Sequence, residues 1–322
     1  MKSILRHCSA FSLVALVSAF VPVFSGAQAA EEVRDYPLTK VAPHTYVIHG
    51  PLGYPSVENQ GFMNNPAFVI TRDGVVVIDP GSSLQAGRML LKQMRTVTDK
   101  PVTHVFNTHV HGDHWLGNHA IIEAYPKAKL MGHPEMIRKI REGADAEWLA
   151  LMDKSTDGFT RGTRSAPPDV AVIDSSELII GGMKFRIYAP EKAHSHTDIM
   201  IEAVEESVIF TGDNVLNQTV ARMADGTFEG SIAACDKIAT VKAKHYVPGH
   251  GPTGDVTVVT GYRNYLATLF AVVKQQYDLG KADFEMKGAV VDKLNAYHNW
   301  NRFELEVGHH ISLAVLEVEA AM

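Results

Sequence analysis

The stretch Thr108-His109-Val110-His111-Gly112-Asp113-His114-Trp115 packs three imidazoles and a carboxylate into a few neighbouring positions. Nitrogen and oxygen donors at this density suit a borderline divalent cation, zinc first among them. In an extended backbone, residues two apart share a side, so His109 and His111 can turn both rings toward one point. Gly112 is expected to let the chain turn sharply, with Asp113 and His114 following at once. Three other places offer donors. Ala193-His194-Ser195-His196-Thr197-Asp198 supplies a histidine pair. Asp213 ends the apolar run Val208-Ile209-Phe210-Thr211-Gly212. His250 sits in Pro248-Gly249-His250-Gly251, between glycines that allow close backbone approach. Each alone is weak, because an aspartate after a strand is usually a turn residue and a lone histidine is usually structural. Their joint occurrence, each at a strand end, points to one shared site.

Such a site needs strands whose ends converge. β-branched and apolar runs predict strands at 45–48, 67–70, 75–78, 102–107, 127–131, 170–172, 183–188, 199–204, 208–211 and 245–247. Helical spacing predicts helices at 83–97, from 116 onward, at 134–141, 146–153 and 231–241. From 256 the pattern is helical to the end, with Tyr262, Tyr265, Leu266, Leu269, Val272 and Val273 on one apolar face. The lead-in to about residue 40 reads as polar, and 155–169 as a long connector. The 50–66 loop carries Leu52, Tyr54, Phe62 and Met63, which suits either a flap over a substrate or a loop folded back on its own scaffold.

The 322 residues exceed one average domain but fit a single large α/β-type unit with an appendage. Residues 1–30 read as a cleaved secretory signal: Lys2 and Arg6 precede an apolar run that ends in small residues, interrupted too often for a stable membrane anchor. The domain reading is therefore a signal peptide at 1–30, a catalytic domain at 31–255 and a helical extension at 256–322 packed on it. A periplasmic or secreted location follows. Cys235 is the one cysteine outside the signal, so no internal disulfide is expected. Losing Lys2 and Arg6 with the signal takes the net charge from −6 to −8. With no basic stripe, nucleic acid is excluded as a partner in favour of a small-molecule substrate.

The chain resembles the metallo-β-lactamase superfamily. His109-x-His111-x-Asp113-His114 resembles that family's metal motif, Val77-Ile78-Asp79-Pro80-Gly81 the strand before it, Phe210-Thr211-Gly212-Asp213 its bridging carboxylate, and Pro248-Gly249-His250-Gly251 its last metal histidine. The resemblance spans about 41–253. It implies an α+β fold, a four-layer αββα sandwich, here with a helical C-terminal extension. Relatives place an acidic or small residue four positions after the third histidine and the bridging aspartate about nineteen after it. That spacing selects His194 over His196, with Asp198 and Asp213 in those places. The implied site holds two Zn2+ ions per chain: one on His109, His111 and His194, a second on Asp113, His114 and His250, with Asp213 bridging. The implied nucleophile is a metal-activated hydroxide, Asp113 doubling as ligand and catalytic residue. Asp79 is expected to fix the ring of a metal histidine.

Within the superfamily the likeness is to exported SoxH-like and quinoprotein-associated zinc hydrolases, which implies ester, thioester, lactone or lactam cleavage. A third-subclass-like β-lactamase is one alternative, and a mononuclear iron persulfide dioxygenase-like oxidoreductase another; a non-catalytic zinc scaffold would be favoured by loss of a ligand. Trp115, Tyr54, Phe62 and Met63 are candidates for contacting an apolar substrate part or for simple core packing. His298, Trp300, His309 and His310 in the tail are expected to pack, the alternatives being that the tail walls the cleft or forms a homo-oligomer interface.

Overall fold

The computed structural model describes residues 32–220 and 222–322; the signal expected at 1–30 lies outside the described residues. One sheet contains β1 (Leu38–Ala42), β2 (Thr45–Ile48), β3 (Ala67–Ile70), β4 (Val75–Ile78), β5 (Val102–Phe106), β6 (Lys129–Gly132) and β7 (Val170–Ala171), hydrogen-bonded in that order. Its first four strands are antiparallel neighbours, and from β4 onward the pairs are parallel. The second sheet runs from β8 (Glu177–Ile180) through β9 (Met183–Tyr188), β10 (Met200–Ala203) and β11 (Val208–Gly212) to β12 (His245–Pro248). Only its β11–β12 pair is parallel.

Side-chain alternation along the strands explains the layering. Val76 and Ile78 of β4 point into a core shared with Phe185 and Ile187 of β9, Ile201 of β10, Phe210 of β11 and Val247 of β12. Val75 and Val77 point the other way, onto Leu90 and Met94 of α1 (Leu84–Arg95) and Ala120 and Ile121 of α3 (Asn118–Ala124). Every residue of β4 is buried, which is why its sequence is an unbroken apolar run. On the far side Met200, Ile209 and Tyr246 meet α6 (Phe228–Ala239) and the C-terminal helices α7 (Val256–Asp278), α8 (Asp283–Lys293) and α9 (Phe303–Ala320). The result is helices, sheet, sheet, helices: an αββα sandwich with a helical extension on its second sheet. By length and composition α7 could cross a membrane. In the fold, Val259, Tyr262, Leu266, Leu269 and Val273 instead form its buried face against this cluster.

Several expectations are corrected. The polar lead-in contains β1, whose burial alternates and whose exposed Thr39 and Lys40 hid it. The edge strand β8 was also missed, because it leaves Ile179 exposed and spans only four residues. The helix expected from 116 begins two residues later, as α3, and is preceded by a short helical turn, α2 (Gly112–Trp115), that was not expected. The pair expected at 134–141 and 146–153 is α4 (Pro134–Lys139) and α5 (Asp145–Ser155), joined by a wide π turn in which Gly143 takes φ 111°. Helix α6 starts earlier than 231, where the Thr227 hydroxyl accepts from the Gly230 N–H. Gly112 does not supply a left-handed turn; it makes room, since a Cβ there would lie 2.7 Å from the Cβ of Trp148.

Candidate metal centre

The site lies beyond the carboxyl ends of parallel strands, where open α/β sheets place their ligands. Asp79 follows β4, the 109–114 motif follows β5, Asp213 follows β11 and His250 follows β12, while His194 comes from the β9–β10 connection. Buried in this place are two groups of donors, His109, His111, His194 and Asp213, and Asp113, His114 and His250; within each group the donor atoms lie no more than 4.8 Å apart. Asp213 faces both. Its Oδ1 is 3.3 Å from His114 Nε2 and 3.4 Å from His250 Nε2, and its Oδ2 is 3.6 Å from His194 Nε2. His196 is exposed and outside the cluster.

The hydrogen bonds fix which ring nitrogen is bare. Thr108 donates its hydroxyl to Asp79 Oδ2 at 2.7 Å, so it can only accept from His109 Nδ1, 3.0 Å away. His114 Nδ1 donates to Asp79 Oδ2 at 2.8 Å, the role expected of Asp79, and His250 Nδ1 donates to the Met63 carbonyl at 2.8 Å. His111 Nε2 meets Asp225 Oδ2 at 3.0 Å. In all four rings the proton is drawn outward and a lone pair is left pointing into the cluster, as in imidazoles that bind metal. His109 Nε2 and Asp213 Oδ1 make no hydrogen bond although buried. His111 Nδ1 and His194 Nε2 face each other at 3.0 Å. His194 Nδ1 is buried without a partner, so with no cation the His194 proton can sit on Nε2 and bridge to His111 Nδ1, the place a cation would take.

Distances test the fit further. His114 Nε2, His250 Nε2, Asp113 Oδ2 and Asp213 Oδ1 are separated by 3.3, 3.4, 3.3, 3.3 and 3.4 Å over five of their six pairs. Corners of a tetrahedron about 2.0–2.1 Å from its centre, the usual zinc-to-donor length, lie roughly 3.3–3.4 Å apart. The residues present fit the group.

Electrostatics agree. Burial holds His109 well below its usual range and pushes His194 down to about 3, keeping both neutral. Burial alone would raise Asp113 and Asp213, but His114 and His250 outweigh it and hold both carboxylates well below their usual range. Against the same burial, Asp113 and Asp213 lift His114 well above its usual range and His250 to about 9. A proton there is the simplest cation the two carboxylates can attract, and a metal competes with it.

Residues 60–250, more than half of the chain, match the family model described as the metallo-beta-lactamase superfamily. The chain belongs to the metallo-beta-lactamase superfamily. It is similar to the linear primary-alkylsulfatase of a Pseudomonas species, at 23% identity over 215 residues, 56% of this chain and 40% of that one. It is also similar to the atrochrysone carboxyl ACP thioesterase of Emericella nidulans, at 25% over 201 residues, 62% of this chain and 54% of that one. The chain thus spans about half the length of the curated relatives it matches. Among solved structures, the metallo-beta-lactamase from Pontibacter korlensis matches with a TM-score of 0.58 at 20% identity, over 72% of this chain and 98% of that one. VMB-1 matches with 0.56 at 17% identity, over 73% and 97%. At these identities the likeness is one of fold.

In this superfamily member the donors open onto a cleft of about 450 Å³. Tyr54 and Met63 of the 50–66 loop line it, while Phe62 of the same loop is fully buried in the core under α1. The loop is therefore part flap and part scaffold. Trp115 is also fully buried, its indole N–H donating to the Val110 carbonyl at 2.9 Å, so it cannot touch a substrate. In the tail, His310 is buried beside the Tyr265 hydroxyl, Trp300 stacks on Tyr265, and His298 and His309 face solvent. The tail does wall the cleft, through Arg302. Sequence reasoning missed Arg302, Trp148, Leu151 and Asp225. Asp225 precedes a glycine and reads as a turn, and Trp148 and Leu151 sit in a helix of weak amphipathicity, so little in the sequence marked them.

Proposed function

We propose that the chain is an exported, dinuclear zinc hydrolase that cleaves an ester, thioester, lactone or lactam bond in a small molecule. The observation that carries this reading is the near-tetrahedral spacing of His114, His250, Asp113 and Asp213, with the second donor group sharing Asp213. His109, His111 and His194 would hold one cation, Asp113, His114 and His250 the other, and Asp213 both. When bound, zinc supplies Lewis acidity toward the scissile group and brings the pKa of a water to about 7.

The protein's own residues do the rest. Asp113 lines the cleft and is kept ionised, which makes its carboxylate the group placed to take the proton of the attacking water. Asp79 and Asp225 hold the His114 and His111 rings in the tautomer that aims a lone pair inward. Tyr54, Met63, Val110, Trp148 and Leu151 give the cleft apolar walls that suit an acyl or alkyl portion. The naming of a sulfatase and an acyl thioesterase among its relatives supports an ester-type bond joined to such a portion.

The test is metal content by plasma emission spectrometry beside a hydrolysis panel of nitrocefin, acyl thioesters, lactones, aryl sulfates and phosphodiesters. Two zinc ions with thioester or ester turnover are expected. Thioester turnover without nitrocefin turnover removes the β-lactamase alternative. One iron per chain with oxygen uptake on a persulfide overturns the hydrolase reading. Asp213→Ala should lose at least one metal and more activity than the roughly 10–100-fold an outer hydrogen-bond partner is worth. Full activity in that variant would show the ligand map to be wrong.

A further inference from the structure

Arg302 belongs to neither sheet and lies beyond the span matched by the family model. It stands at the start of α9 with φ 65°, a region where a non-glycine residue persists only if its surroundings hold it. Those surroundings are specific. The Asn301 N–H donates to the Gln218 carbonyl at 2.9 Å, and the Asn301 carbonyl accepts from the Val220 N–H at 3.2 Å and the Thr219 hydroxyl at 3.3 Å. The residue is thereby tied to the segment that follows Asp213, and its side chain is delivered to the cleft wall.

The guanidinium is only partly used there. Its carbon lies 4.5 Å from the centre of the Tyr54 ring, and Nη2 donates to the Val220 carbonyl. Nε is buried and has no hydrogen-bond partner. The acidic charges that act on Arg302, Asp213 and Asp113, turn their oxygens to His114 and His250. An arginine fork has five N–H donors and stays charged. Val220 takes one end of the fork, so what the cleft wall presents is the remaining Nη1 end, a charged donor open to an acceptor that arrives with the ligand.

We propose that Arg302 is a specificity-determining residue that binds an oxyanionic group, such as a carboxylate or sulfonate, carried by the substrate apart from the bond that is cut. The occupant is an amphiphile: its apolar stretch suits Trp148 and Leu151, and its anionic end meets the end of the guanidinium that Val220 leaves free. The identity of the bond cut rests on the hydrolase reading above; the anion site does not.

Two readouts keep these apart. In calorimetric titration of the metal-loaded protein, 1-octanesulfonate should bind, and Arg302→Ala should weaken it by about tenfold or more, the scale of one charge-assisted hydrogen bond. Binding of neutral 1-octanol should not change, and Arg302→Lys should recover part of the sulfonate affinity. In kinetics, Arg302→Ala should raise KM for mono-p-nitrophenyl adipate with little change in kcat, and raise KM for p-nitrophenyl hexanoate by a much smaller factor. Equal losses on both esters, or the same losses in Tyr54→Leu, would assign Arg302 to holding the flap and overturn the proposal. Unchanged sulfonate binding in Arg302→Ala would overturn it as well. A wild-type protein that hydrolyses neither these esters nor any member of the panel above, but shows the Arg302-dependent sulfonate binding, would sink the hydrolase reading and leave the anion site standing.

Discussion

A histidine that serves a cation must carry its proton on the outer nitrogen, and each outer partner in this protein enforces that in a different way. Asp79 does it for His114 directly and for His109 through the Thr108 hydroxyl. Asp79 takes φ 49°, a left-handed backbone that aspartate tolerates better than most residues. Asp225 does it for His111, and the pair is mutual: the hydrogen bond from His111 holds the Asp225 carboxyl down at about 2. Because the Asp225 side chain is half exposed, removing it leaves no cavity. Asp225→Ala is therefore expected to keep the wild-type melting profile without metal, yet to bind the cation at His109, His111 and His194 about 10–100-fold more weakly. Chelator competition followed by metal analysis measures this. An unchanged affinity would mean that His111 is oriented by something else.

Strand ends decide whether those residues can meet, and here the fit is tight. Gly249 follows β12 and meets the end of β11, its N–H donating to the Gly212 carbonyl at 2.8 Å. A Cβ on Gly249 would lie 2.0 Å from Asp213 Oδ1, the oxygen shared with His114 and His250. Gly249→Ala should displace that carboxylate and lose at least one metal with most activity, while the far-ultraviolet circular dichroism stays that of the folded sandwich. Retention of both metals would show that the carboxylate has room to move. The same packing explains what could be read from the sequence. Strands β4 and β11 are buried throughout and the site-side ends of β5 and β12 are too, so their apolar residues were plain, and the donors at their ends stood out. Edge strands β1 and β8 are half exposed and mixed in sequence. Arg302 and Trp148 reach the cleft from helices whose neighbours are set by tertiary packing, which no local pattern encodes. Trp115 adjoins His114 in sequence yet points into the core formed with Leu116, Met136 and Met152.

The cluster also joins the two halves of the sandwich. His109, His111, Asp113 and His114 follow the first sheet, whereas His194, Asp213 and His250 come from the second, and His250 further holds the flap through Met63. A cation bound across this seam would favour the folded protein and stabilise it, by up to about 4 kcal/mol when the free metal exceeds its dissociation constant a thousandfold. Without metal, protons on His114 and His250 must balance Asp113 and Asp213. Burial opposes those protons, but the carboxylates prevail and bring His250 up to about 9. A raised histidine gives its full stabilisation below its unfolded pKa of roughly 6.5 and loses it as pH rises through the folded value. Asp198, raised to about 7 by burial, acts in the same direction lower down, its stabilisation being lost between about pH 4 and 7 and largely spent where that of the histidine begins to fall. The chelated protein should therefore lose melting temperature steadily from pH 6.5 to 9. The metal-loaded protein, whose cations replace the protons, should hold its melting temperature over the same range. Parallel melting curves for the two forms, followed by calorimetry across that range, would show that the charges at the seam are not balanced by the histidines and would remove the link between metal binding and the stability of the sandwich.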